Sequence, residues 1–244
     1  MINKVSNPWI KLAKWNKVAS IDEEYIEEIW KNIELDDFSF EYYPEPFIGN
    51  KDAPIYVLLA NPWRFAEEDE KEELCYSVEQ KKLIENNLSH KTLKKNRSFY
   101  YLDILFNPDE TDWNWWYRFF KYLIEVEEID TDIIWENFFS LEIYWYHSYW
   151  FDYKLLRDKQ NDVELPSLEY TLFLLKEAMD EGKIILLGRS RQNWFNLCPE
   201  LESYNNCFFI SVNRNMEIRN TTLSPYIYRK ILRLLRKEER ENKK

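Results

Sequence analysis

Ile55-Tyr-Val-Leu-Leu-Ala-Asn-Pro62 is an apolar run of six residues stopped by Asn61-Pro62. A continuous run of that kind suits a strand covered on both faces, because neither side of its pleat meets water. Proline has no N–H for the ladder, so the strand ends there. Upstream, Tyr42-Tyr-Pro-Glu-Pro-Phe-Ile-Gly-Asn-Lys-Asp-Ala-Pro54 reads as a proline-fixed approach with a turn at Gly49-Asn50. Downstream, three more runs have strand character: Phe138–Tyr146, ending at His147-Ser148; Lys183–Gly188, followed by Arg189-Ser-Arg191; and Cys207–Val212, stopping at Asn213-Arg-Asn215.

Helical patterns lie between and around these runs. Residues 8 to 35 repeat apolar positions at helical spacing, with Ser20 and Glu23 placed as a capping box for a second helix. Trp113 to Ile124 forms an aromatic-rich helix, and Leu165-Pro-Ser167 opens another that Gly182 ends. A short helix starts at Asn193, and a last one spans Ser224 to Lys237 with Ile227, Ile231, Leu234 and Leu235 on one face. Strands alternating with helices make crossover units. The expected fold is a three-layer α/β/α domain with a four-stranded parallel sheet. It is one domain over 1–244, with N-terminal helices over 1–41, a polar insert over 64–98 and a frayed tail over 238–244.

Composition narrows the function classes. Hydrophobic residues make up 45% of the 244, enough for a full core, and the aromatic share of 18% argues against disorder. Gly49, Gly182 and Gly188 are the only glycines, so neither a Walker A loop nor a dinucleotide fingerprint can be built. No apolar run is long enough to span a bilayer, and the first residues carry no secretory pattern. Cys75, Cys198 and Cys207 lack metal-ligand spacing and read as free thiols of a reducing cytoplasm. Two histidines are too few for a His-rich metal centre, and no cofactor is expected.

Net charge is −11, yet residues from 183 onward hold 13 Lys or Arg against 6 Asp or Glu, a balance of +7 that leaves −18 on 1–182. A locally basic face is therefore compatible with phosphate partners despite the acidic total.

Ligands of open parallel sheets bind outside the carboxyl ends of the strands. Those ends bring forward Asn61, Trp63 and Phe65; Tyr144, Tyr146, His147 and Ser148; Arg189 and Arg191; and Asn213 and Arg214. Asn61 either orients a water or forms a turn before proline. His147 is either a general acid or a hydrogen-bonded core histidine. Trp63 and Phe65 either stack on a base or pack. Arg189 and Arg191 suit phosphate through bidentate geometry, or simply solvate the surface. The cluster Lys91, Lys94, Lys95 and Arg97 reads as a solvated face, and no carboxylate pair stands out at a strand end.

The segment Pro44–Pro62 resembles the lead-in, first strand and Asn-Pro element of the uracil-DNA glycosylase-like superfamily. Tyr146-His-Ser148, Leu165-Pro-Ser167 and the stretch from Trp194 to Leu201 are similar to bacterial relatives within it. The resemblance implies a pocket for a nucleobase flipped out of DNA. By position it makes Asn61 the water-orienting residue, with Tyr144 or Tyr146, and His147, at the base-reading strand end. It also makes Phe65 a stacker and puts Asn213 and Arg214 at the second motif.

The chain departs from the family pattern three times, once in that the strand-end Asn that reads uracil is not evident near Tyr144. Trp63 stands where a Gly lets the backbone approach the substrate, and Asn213-Arg-Asn215 stands for a His-Pro-Ser or Asn-Pro-Ser element. Two functional readings follow. One is a protein that binds a nucleobase or nucleotide at the strand ends and hydrolyses an N-glycosidic bond in DNA, without metal. The other is a catalytically inactive module of the same fold that binds a ligand or a protein partner. A DNA-mimic inhibitor, suggested by the −18 of residues 1–182, is a third and minor option.

Overall fold

The computed structural model describes residues 5–12, 17–30, 38–39, 42–62, 77–91, 115–148, 157–158, 163–188, 190–211 and 216–242. In chain order the strands are β1 (Phe38–Ser39), β2 (Phe47–Gly49), β3 (Ile55–Leu59), β4 (Phe138–Glu142), β5 (His147–Ser148), β6 (Arg157–Asp158), β7 (Val163–Glu164), β8 (Ile184–Leu187) and β9 (Cys207–Phe209). The helices are α1 (Glu23–Trp30), α2 (Val78–Leu88), α3 (Trp115–Glu125), α4 (Thr131–Asn137), α5 (Leu168–Asp180), α6 (Arg191–Leu197) and α7 (Pro225–Asn242).

The main sheet runs β2-β4-β3-β8-β9. β4, β3, β8 and β9 are mutually parallel, while β2 lies antiparallel on β4. The expected four-stranded parallel sheet is therefore a five-stranded mixed one. The extra strand, Phe47-Ile-Gly49, sits inside the proline-flanked approach, and it is paired by a residue run almost a hundred positions away, Phe139–Leu141. Two short antiparallel pairs, β1 with β5 and β6 with β7, stand apart from it.

Ile55, Tyr56, Val57 and Leu58, the start of the apolar run, are all buried, as are Ile184–Leu187 and the whole of β4. Parallel register puts paired side chains on one face. Tyr56, Phe139 and Phe47 share a face with His90 and with Tyr170 of α5. Phe209 of β9 continues that face and meets Phe195 of α6. Phe138 shares the opposite face with Phe208, and there Phe120 of α3 lies 4.8 Å from Phe138 while Lys230 of α7 lies over Phe208. Helices thus cover both faces of the sheet.

Several boundaries differ from the sequence reading. β4 ends at Glu142, after which Ile143 and Tyr144 bond to Leu59 and Ala60 outside any strand. β9 ends at Phe209 rather than Val212, and α7 continues to Asn242, beyond the expected helix end at Lys237. The polar insert carries α2, capped by a reciprocal Ser77–Gln80 box. Ser20 does not cap α1; its hydroxyl donates to the Lys11 carbonyl, and Asp22 accepts the first helical bond from Ile26.

Candidate functional site

β3 and β8 are neighbours whose chain connections leave in opposite directions across the sheet, so the point between them is where a crevice is expected. Two side chains take up that junction. Trp194 of α6, fully buried, donates its indole N–H to the Leu59 carbonyl at 2.9 Å. At the end of β8, a Cβ on Gly188 would run into the Met216 sulfur. The glycine makes room for a methionine there, and the polar constellation lies one strand over, at the ends of β3 and β4.

Glu142 is the last residue of β4 and pairs in register with Leu59 of β3. It is 5% exposed, and its Oε2 has no hydrogen-bond partner among the described residues. Burial holds its carboxyl well above the usual carboxylate range, with the neighbouring Glu45 charge adding to the effect. Glu45 arrives from the segment that leads into β2. Its N–H donates to the Trp145 carbonyl, and the next residue's carbonyl, Pro46, accepts from Glu142 N–H at 3.0 Å. Glu45 Oε1 lies 3.3 Å from His147 Nε2, both side chains being buried. The His147 ring stacks on Tyr42 at 4.9 Å between centroids. β5, which holds His147, pairs with β1, and Ser39 is its partner in register. Asn61 follows two residues after β3 and is half-buried, with its side-chain amide 3.3 Å from the Pro62 carbonyl. The N–H of Tyr144 donates to Ala60, directly before Asn61, at 2.9 Å.

The fold thus brings Asn61, Glu142, Glu45 and His147 to one end of two adjacent parallel strands. Chemically this is a buried carboxyl of raised proton affinity beside a carboxylate and an imidazole 3.3 Å apart, with an amide close by. A buried protonated carboxyl donates a hydrogen bond or a proton to a departing group. A neutral imidazole beside it can accept a proton.

The remaining expected residues divide into two groups. Tyr144 and Tyr146 are buried at 4% and 1% exposure. The Tyr146 hydroxyl donates to Asp22 Oδ2 at 2.8 Å and accepts from Ala19 N–H. That hydroxyl serves packing of the N-terminal segment. Ser148 stands in β5. Arg191 opens α6 and is exposed, with its guanidinium over the Phe209 ring. Trp63, Phe65, Arg189, Asn213 and Arg214 lie outside the described residues, as do Lys94, Lys95, Arg97 and Cys75.

Glu142 and Glu45 escaped the sequence reading. The signal for Glu142 was present: one carboxylate stands in the otherwise apolar and small run Phe138-Phe-Ser-Leu-Glu-Ile-Tyr-Trp-Tyr146. A charge that cannot reach water needs a partner or a task. Cys198 and Cys207 are free thiols, and burial pushes Cys207 up to about 12. Among the described residues no group of three or more His, Cys, Asp or Glu side chains is arranged to hold a metal, and no helix is long and apolar enough to cross a membrane. Compared with protein-family models, curated proteins and solved structures, the chain matches none of them.

Proposed function

We propose that the chain is a nucleobase-handling hydrolase, similar to uracil-DNA glycosylases, that cleaves an N-glycosidic bond at the β3–β4 strand ends. The observation that carries this reading is the buried Glu142 carboxyl, whose Oε2 has no hydrogen-bond partner among the described residues, beside the Glu45–His147 pair. In the proposed reaction the bond from the sugar carbon to the base nitrogen breaks, and its electron pair leaves with the base. Glu142, whose protonated form burial favours, supplies a proton or hydrogen bond to that base as it becomes anionic. Asn61 orients the water that forms the new bond to the sugar carbon, and the water's proton passes to His147 or solvent. The doubly wound parallel core and the Asn61-Pro62 stop at the end of its first strand support the reading further.

The second reading, an inactive binding module, draws on a specific observation too. Trp194 and Met216 take up the β3–β8 junction, and His147 is only 6% exposed.

Release of free base from oligonucleotides containing uracil, hypoxanthine or xanthine separates the two. The hydrolase reading expects release by the wild type and a loss of about a hundredfold or more in Asn61→Ala, His147→Ala and Glu142→Gln, in line with losing a positioning or proton-transfer group. Glu142→Gln keeps a hydrogen-bond donor but cannot transfer a proton, so retained activity in that variant would limit Glu142 to hydrogen bonding. Absence of release from every substrate would favour the inactive module.

A further inference from the structure

The edge of the sheet away from the candidate site has an unusual surface. Among the described residues β9 is the terminal strand of the sheet and pairs with β8 alone. Its two phenylalanines point to opposite faces, and each carries a cation. Arg191 Cζ lies 4.9 Å from the Phe209 ring centroid, and Lys230 Nζ lies 5.9 Å from that of Phe208. Phe209 is 48% exposed. α7 continues the pattern. Between Pro225 and Lys237 it has five cations and no carboxylate, on a chain whose net charge is −11. Arg236 is neutralised by Glu127 at 2.6 Å. Arg229 and Arg233 are exposed one turn apart, and Tyr226, one turn before Lys230, is 65% exposed. Among the described residues no carboxylate pairs with Arg191, Arg229, Lys230 or Arg233.

We propose that this β9–α7 edge binds single-stranded DNA, with Arg191, Arg229 and Arg233 on phosphates and Phe209 and Tyr226 on bases. Cations not neutralised by a carboxylate release counterions when they meet a phosphate backbone, which gives affinity regardless of sequence. Exposed rings add stacking that any base satisfies, but only where bases are not already paired, as in a single strand. A guanidinium that rests on a ring face still has N–H edges that can meet a phosphate. A duplex partner would use the cations and leave both rings idle. The choice of DNA as the polyanion rests on the hydrolase reading; the surface itself does not.

The test is fluorescence anisotropy of a labelled 20-nucleotide single strand with the full chain, titrated across salt. The wild type should bind, with affinity falling linearly on a log–log plot against salt. The double variant Arg191→Gln/Arg233→Gln should bind about tenfold or more weakly and lose roughly 1.4 from the slope, at about 0.7 per phosphate contact. Phe209→Ala should weaken binding about tenfold with the slope unchanged, as lost stacking requires. Circular dichroism and melting of each variant confirm that the fold is intact. Wild-type affinity and slope in the double variant, or a duplex bound as tightly as the single strand and indifferent to Phe209→Ala, would overturn the proposal. So would variants that bind normally but self-associate, since the cations would then be guarding an open sheet edge. Base release is read separately: binding without release sinks the hydrolase and leaves the surface standing, and release without binding at this edge does the reverse.

Discussion

Glu142 places a titratable group where water does not reach, and the sign of its effect on stability follows. Burial, with the Glu45 charge, raises its folded-state value above the ordinary 4.5. A carboxyl whose folded value is raised holds its proton more tightly in the native state than in the unfolded chain. It therefore destabilises progressively as pH climbs above about 4.5, and the penalty stops growing once the native group ionises. Glu142→Gln has no such proton to lose. It should melt at a higher temperature than wild type at pH 8, with the gap closing toward pH 5. Thermal melts at those two pH values check this, and a gap independent of pH would show that burial of this carboxyl does not govern its titration. The residue was readable as an oddity in its strand but not as half of a pair. Its closeness to Glu45 depends on β2 folding back antiparallel on β4, a contact between positions far apart in sequence.

Among the elements, α1 and α5 are joined at their starts by one carboxylate. Asp22 Oδ1 accepts from Ser167 N–H at 2.9 Å, and Oδ2 accepts from the Ser167 and Tyr146 hydroxyls. A carboxylate at the first turn of α5 also sits at the positive end of that helix's dipole. These bonds oppose the desolvation of a fully buried Asp22, and desolvation prevails in raising its proton affinity. Asp22→Ala leaves a buried N–H and two hydroxyls unanswered and should cost about 3 kcal/mol in chemical denaturation. Tyr146→Phe, which removes one donor to Asp22 and the acceptor of the buried Ala19 N–H, should cost about 1–2 kcal/mol. Equal costs would mean that Asp22 matters only through the tyrosine. Gly188 offers a second check. Gly188→Ala alone should destabilise by about 1–3 kcal/mol through overpacking against Met216. In Gly188→Ala/Met216→Ala the added methyl should cost much less, a coupling that a double-mutant cycle reads directly. β3 and β8 were legible because a strand buried on both faces is apolar throughout. The stretch Ile143–Tyr146 is equally apolar for a different reason: it packs on the N-terminal segment, with Trp9 5.1 Å from Trp145, and not in the ladder. Pattern alone does not separate those two causes of burial, so β4 was read too long.

Over the molecule, alternation of apolar runs with helical segments was enough to place helices on both faces of a largely parallel sheet. It was not enough for the antiparallel edge, because pairing is decided by which surfaces remain open once the parallel core has formed. The closing of that edge is where the other histidine enters. His90 stands just after α2 in a left-handed conformation (φ 50°), stacks on Phe47 of β2 at 4.3 Å and meets the Tyr170 hydroxyl of α5 at 2.8 Å. One imidazole thus ties helix α2, the edge strand and α5. Burial lowers its value from 6.5 to about 4, with the Lys51 charge acting in the same direction. The unfolded chain then takes up a proton at this residue before the folded one does, so its contribution to stability is present above about 6.5 and is lost as pH falls toward 4. His90→Asn tolerates the left-handed backbone and removes the titration. It should be less stable than wild type at pH 7.5, having lost the stack. The difference should shrink by roughly 1 kcal/mol per pH unit between 6.5 and 4, because only the wild type bears the protonation cost. Chemical denaturation of both proteins at pH 7.5, 6 and 4.5 measures this. A difference that stays constant across the series would mean that His90 titrates alike in both states, and that the contacts joining α2, β2 and α5 do not require a neutral ring.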